Sequence, residues 1–180
     1  MNGIFRLKHI QDYKKVSYYS VCIDNEDSPI EDENSLFELF IIEQEKKNKD
    51  KLNHILAWLK EIGNKYGASY YHFRNEQYQG EALGLPPKKF TKPPVYVEDG
   101  EIKRNNLRLY CHRLNNNIVV LFSGDLKTAE TPQECPNVKT HFIRANQLSV
   151  SIDNAFKENE ITWIYDNEDI NYSDDLILYF

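Results

Sequence analysis

A chain of 180 residues that is 41% hydrophobic and 13% aromatic has apolar side chains for one core, and its length argues against two full domains. Its longest unbroken apolar runs, residues 118–122 and 176–180, fall far short of the ~18 to 20 residues of a bilayer-spanning helix. The formal charge of −6 is uneven: residues 1–60 carry −2, residues 61–145 carry +3 and residues 146–180 carry −7, so a polyanion is admitted only at the middle segment.

The first residues, 1–10, mix charges into any apolar stretch, which predicts no cleaved secretory signal. Cys22, Cys111 and Cys135 lie far apart with no paired spacing, a pattern of buried thiols in a reducing compartment. A cytoplasmic protein without a membrane partner is the expectation.

In chain order, residues 4–7 and 16–23 read as strands, the second rich in β-branched and aromatic residues. Ser35 stands three residues ahead of Glu38 before an apolar run, a capping box that predicts a first helix from about Ser35 into the lysine-rich stretch. Asp50 is placed to cap a second helix, whose Leu52, Ile55, Leu56, Leu59 and Ile62 follow helical spacing, with Gly63 and Gly67 as stop signals. Joined by the polar turn 46–49, the pair is an αα-hairpin that must bury its apolar stripe against a sheet or another chain.

Residues 69–74 read as the next strand, and the glycine- and proline-rich stretch 77–104 as a long loop with a short strand at 95–97. Strands at 107–114 and 118–123 flank the turn Asn115, Asn116 and Asn117, and this hairpin is expected at the centre of the sheet. Pro136 suits the first turn of a third helix carrying Phe142, Leu148, Ile152 and Phe156. Residues 161–180 are compatible with an added strand pair or a mobile tail.

Phosphate-binding glycine loops, zinc-protease and hydrolase signatures and paired metal ligands are all missing from the sequence, and no cofactor is expected. A constellation takes their place. Alternation puts Arg108, Tyr110 and His112 on one strand face, and Tyr70, His72 and Arg74 on one face of the preceding strand. Side by side, these residues with Lys127 would line one surface. Such a surface could cleave RNA without a metal, because the 2′-hydroxyl is an internal nucleophile that needs only a base, an acid and cations for the phosphorane. Lys88 and Lys89, beside Phe90, are candidate grips on a phosphate backbone. A solvated strand face is the competing reading, and the lysines are equally compatible with a plain wet loop.

The order of parts, with the run 107–114, the strand 118–122 and then Lys127-Thr128 and Thr131-Pro132, resembles the RelE/HigB-type toxins of bacterial toxin-antitoxin systems, in the RelE/ParE-like superfamily. Ser28-Pro29 ahead of Phe37 and Phe40 is similar to that family's passage from first strand to helix. The resemblance implies an α+β fold with an antiparallel-rich sheet, an N-terminal αα-hairpin and a C-terminal helix over residues 1–160 (core 16–158), followed by an acidic extension at 161–180. It further implies a ribosome-dependent mRNA endoribonuclease silenced by an antitoxin protein. Arg108 then matches the arginine facing phosphate, and Lys127 the basic residue after the last strand. Tyr70, His72, Arg74, Tyr110, His112 and Arg113 rest on alternation alone. The net acidity and the 77–104 insertion depart from the usual short, basic toxin. They leave two rivals: a non-catalytic binding module on the same fold, and a relative that poisons a DNA topoisomerase. The acidic tail folding over the basic face, as an internal substitute for RNA or antitoxin, is a further expectation.

Overall fold

The computed structural model describes residues 3–24, 34–76 and 80–180. Ser28-Pro29 and Gln77 lie outside them. The described chain is mixed α and β, with a mostly antiparallel sheet and three helices.

Strands β1 (Ile4–Asp12) and β2 (Ser17–Asp24) pair antiparallel, the longest pairing among the described residues. The chain then crosses through α1 (Leu36–Lys47) and α2 (Lys49–Glu61) to the other half of the sheet. There β3 (Leu83–Leu85), β6 (Leu109–Arg113) and β7 (Ile118–Leu121) pair antiparallel, and β7 lies parallel to β2. Between β3 and β6, β4 (Tyr96–Glu98) and β5 (Glu101–Lys103) form a separate hairpin. Helix α3 (Pro136–Lys157) follows β7. A second hairpin, β8 (Ile161–Ile164) with β9 (Asp169–Tyr172), precedes β10 (Leu178–Tyr179). The main sheet runs β10-β1-β2-β7-β6-β3.

Two apolar clusters, one on each side, hold this sheet between helical layers. On one side Tyr18, Leu109, Cys111, Val119 and Leu121 meet Phe37, Phe40, Leu52, Ile55, Trp58, Leu59 and Ile62 of the αα-hairpin region. On the other, Phe5, Tyr19, Val21, Tyr110, Val120 and Phe122 meet Val138, Phe142, Leu148 and Ile152 of α3, with Ile161, Ile170 and Leu178 from the last segment. The central strands β6 and β7 therefore need apolar side chains on both faces, which is why β7 reads as an unbroken hydrophobic run.

The capping box forms as the sequence predicts, Ser35 Oγ accepting from the Glu38 amide and Glu38 accepting from the Ser35 amide. The interhelical turn is tighter than expected. Helix α1 extends to Lys47 and Asn48, rather than Asp50, is the N-cap of α2, with the Asn48 amide donating to the Gln44 carbonyl. A widened turn over Ile62–Tyr66 ends at Gly67, whose φ of +76° suits glycine.

Two expectations are corrected. Residues 69–74 are not a strand: Ser69 caps a short 3-10 turn over Tyr70–His72, and only Arg74 makes an isolated bridge, to Gly84. The stretch 77–104 is not only a loop, because it supplies edge strand β3 and the β4–β5 hairpin, whose range includes the expected strand at 95–97 apart from its first residue. Of the two alternatives for 161–180, the added strand pair is the one present: β8 pairs with β9, the segment is hydrogen-bonded to Tyr19, Asn115 and Ser151, and β10 adds to the sheet edge opposite β3.

Candidate functional site

Beyond β7 the chain runs back beside residues 106–110. The Arg108 amide donates to the Asp125 carbonyl, the Lys127 amide to the Asn106 carbonyl, and Leu107 bridges Leu126. Gly124 makes this possible, since a Cβ there would lie 1.9 Å from the Arg108 carbonyl oxygen. The backbone pairing thus delivers Arg108 and Lys127 to one place, on the α3 side of the sheet.

Glu76 meets them there. Arg108 Nε donates to Glu76 Oε1 at 2.8 Å and Lys127 Nζ to Oε2 at 2.7 Å. The three side chains are 9%, 10% and 5% exposed for Arg108, Lys127 and Glu76. Arg108 Nη1 also donates to the Asn105 and Leu107 carbonyls. Asn105 is itself fixed by bonds to Lys51, His54 and the Leu107 amide. Charges this far from water persist only when paired and hydrogen-bonded.

Arg74 completes the cluster. Its bridge partner Gly84 stands opposite Tyr110, so Arg74, Gly84 and Tyr110 form one row across the sheet. The missing side chain of Gly84 leaves room in which Arg74 and Glu76 pack, with a Cβ there only 3.2 Å from Arg74 Cγ and 3.6 Å from Glu76 Cγ. Arg74 anchors to the carbonyls of Pro86 and Pro87. The Tyr110 hydroxyl is buried with no hydrogen-bond partner, its ring packed edge-on against Phe142.

Electrostatics follow from burial and the excess of cations. Burial, then the charge of Arg108, brings Arg74 down to about 10. Burial alone would raise Glu76. The Lys127 hydrogen bond, followed by the charges of Arg108, Lys127 and Arg74, holds it below its ordinary value. Burial, then the Glu76 charge, pushes the Tyr110 hydroxyl up. Beside them, the Cys135 thiol at the start of α3 is fully covered. Burial raises it, but hydrogen bonds from Thr128 and the amides of Val138 and Asn137 bring it to about 7.

The other expected residues lie elsewhere. Arg108, Tyr110 and His112 do share a face, but that face is covered by α3 and is not an open chemical surface. His112 is buried, with Nε2 bonded to Asp153 Oδ1 of α3 at 2.7 Å and Nδ1 unpartnered. His72 packs on the opposite, αα-hairpin side, stacked on Tyr66 with ring centroids 4.5 Å apart. Tyr70 is exposed beneath the Arg113 guanidinium. Arg113 donates to the Ala68 carbonyl and to Asn116 Oδ1. Lys88 is exposed; Lys89 is exposed and bonded to the Tyr71 hydroxyl. Two histidines facing a common hollow therefore do not occur. Glu76, the residue that organises the cluster, carries no spacing signal. Its only trace in the sequence is that two buried cations on neighbouring strands require a carboxylate.

The acidic segment does not cover this cluster: its hydrogen bonds among the described residues go to Tyr19, Asn115, Ser151 and Gly3. No group of three or more His, Cys, Asp or Glu arranged for a metal is found among the described residues, nor is any helix long and apolar enough to cross a membrane. Comparisons of the chain with protein-family models, curated proteins and solved structures find no match.

Proposed function

We propose that the chain is an RNA-cleaving toxin of the RelE/HigB type, acting on ribosome-bound mRNA in the cytoplasm and held silent by an antitoxin protein. The observation that carries this reading is the Glu76 carboxylate clasped by Arg108 and Lys127 beside Arg74 and the unpartnered Tyr110 hydroxyl. With His72 and His112 packed elsewhere, the acid and base roles fall to this cluster. Glu76 takes the proton of the 2′-hydroxyl, whose oxygen attacks phosphorus. Arg108 and Arg74 balance the charge of the phosphorane. The bond to the 5′-oxygen breaks, and that oxygen takes its proton from Lys127, leaving a 2′,3′-cyclic phosphate and a 5′-hydroxyl, with the buried Tyr110 hydroxyl standing behind the cluster.

The near-complete closure of the cluster favours a second reading, in which Glu76 only neutralises two structural cations and the fold serves as a non-catalytic binding module. Mapping mRNA ends after expression separates the two. In the first reading wild type gives cuts with cyclic-phosphate ends, while Glu76→Gln and Arg108→Lys, each verified as folded by its thermal transition, lose them by about a hundredfold or more. Wild type that binds ribosomes or a partner without cutting mRNA leaves only the second.

A further inference from the structure

A second group of cations stands apart from the cluster and is arranged around exposed rings. Tyr70 and Tyr71 are 65% and 62% exposed, among the most exposed large hydrophobic side chains of the described residues. Arg113 Cζ lies 3.9 Å from the Tyr70 ring centre. Lys89 Nζ lies 4.8 Å from that of Tyr71 and donates to its hydroxyl. Lys92 Nζ stands between two rings, 4.8 Å from Tyr66 and 5.4 Å from Tyr71. Lys65 caps Tyr66 at 5.2 Å.

This assembly is held from below. Tyr66 stacks on His72, which in turn lies 6.5 Å from buried Trp58, and the Tyr71 amide donates to Ser69 Oγ. Burial, then the charge of Lys92, lowers His72, so its ring is a neutral support. Adjoining Tyr66 is a polar hollow of about 480 Å³ that adds Lys14 and Lys15, with Glu168 the carboxylate in its lining.

We propose that Tyr70 and Tyr71, with Lys89, Lys92 and Arg113, hold single-stranded RNA directly, without the ribosome, by stacking unpaired bases on the rings and placing phosphates on the cations. Exposed aromatic surface with cations lying over the rings suits a ligand that alternates flat faces with negative charges. A duplex hides its base faces inside. An acidic peptide answers the cations but not the rings. The choice of ligand rests on the RNA reading of the Glu76 cluster, whereas the binding itself belongs to a different face of the protein.

The test is fluorescence anisotropy of a labelled, short, uridine-rich RNA with the full chain and no ribosomes. Tyr70→Ala with Tyr71→Ala is expected to weaken binding about tenfold or more, the loss that stacking one or two bases represents. Tyr70→Phe with Tyr71→Phe should retain it, because the rings remain. Lys89→Ala with Lys92→Ala should reduce the slope of log affinity against log salt by about 0.7 for each phosphate no longer neutralised. An RNA duplex of equal length should bind more weakly, and polyglutamate should not compete. Equal binding of duplex and single strand, displacement by polyglutamate, an unaffected tyrosine-to-alanine variant, or no binding by wild type overturns the proposal. Cutting of ribosome-bound mRNA, measured on the same preparations, keeps the two readings apart. Cuts without free-strand binding end this surface and leave the nuclease, and free-strand binding without cuts does the reverse.

Discussion

The chain carries two basic regions built from the same residue types, and they differ in what answers the charge. At the sheet edge, Arg108 and Lys127 are nearly covered and share one carboxylate, Glu76. Around the 3-10 turn, Lys89 is exposed and Arg113 half-buried, and they are answered by tyrosine rings and a few neutral oxygens. The first arrangement makes charge part of the fold, since an unpaired cation there would have no water to turn to. The second leaves charge available to a ligand and open to salt screening. Count and spacing of lysines and arginines therefore say little about binding until burial is known.

The sharpest way to break this contrast is to remove the shared carboxylate. Glu76→Ala strands two cations that are about nine-tenths covered and is expected to lower the unfolding free energy by roughly 3–5 kcal/mol, read as a shift of the urea midpoint. The same pair sets an acid limit. Glu76 is held below its ordinary value of 4.5, so its stabilising contribution is fully present above that pH and is lost as the pH falls through the lower folded-state value. Wild type should lose stability across that window, and a folded Glu76→Gln variant should show a flatter profile there. Equal acid slopes for the two would mean that the clasp does not form in solution.

Next in size is Gly124→Ala. The added Cβ meets backbone, 1.9 Å from the Arg108 carbonyl oxygen and 2.8 Å from its carbonyl carbon, so the strands must part. A cost of about 1–3 kcal/mol is expected, again from urea unfolding, with Arg108 pulled off its carboxylate. Beside the surface cluster Gly67 acts through its φ of +76° instead, since a Cβ there would meet only the Asn116 carbonyl oxygen, at 3.6 Å.

Much of the fold was legible in the sequence, and the reasons for the remainder are physical. The stripe Leu52, Ile55, Leu59 and Ile62 is helical and buried because one face of α2 meets the sheet. Alternation correctly put Arg108, Tyr110 and His112 on one face. It did not say whether that face was wet, and α3 dries it. The segment 69–74 misled because an aromatic-rich run suits a strand, whereas the Ser69 hydroxyl captures the Tyr71 amide and closes a turn. Strand β3 was hidden by its brevity and by Gly84, whose lack of a side chain is what admits Arg74 and Glu76. The carboxylate itself sits beside a stretch read as loop, so its pairing with Arg108 and Lys127 is a tertiary fact that local pattern does not carry.

Acid also separates the interior from the surface through histidine. His54 and His141 are lowered, chiefly by burial, and His72 by burial and then by Lys92. Below their ordinary value of 6.5 the unfolded chain takes up protons that the folded chain resists, so folding weakens as the pH drops from neutral toward the lower folded-state values and is strongest above that window. Urea midpoints in the range from neutral to mildly acidic pH check the sign, and His54→Gln should reduce the slope. The smallest effect is expected where the contrast began. Lys89 is exposed, and its partners are a tyrosine hydroxyl and ring that water can replace, so Lys89→Ala should change stability by no more than about 0.5 kcal/mol. If instead it destabilised the protein as strongly as Glu76→Ala, the lysines around the turn would be fastening the fold, and an exposed surface kept for a ligand would no longer describe them.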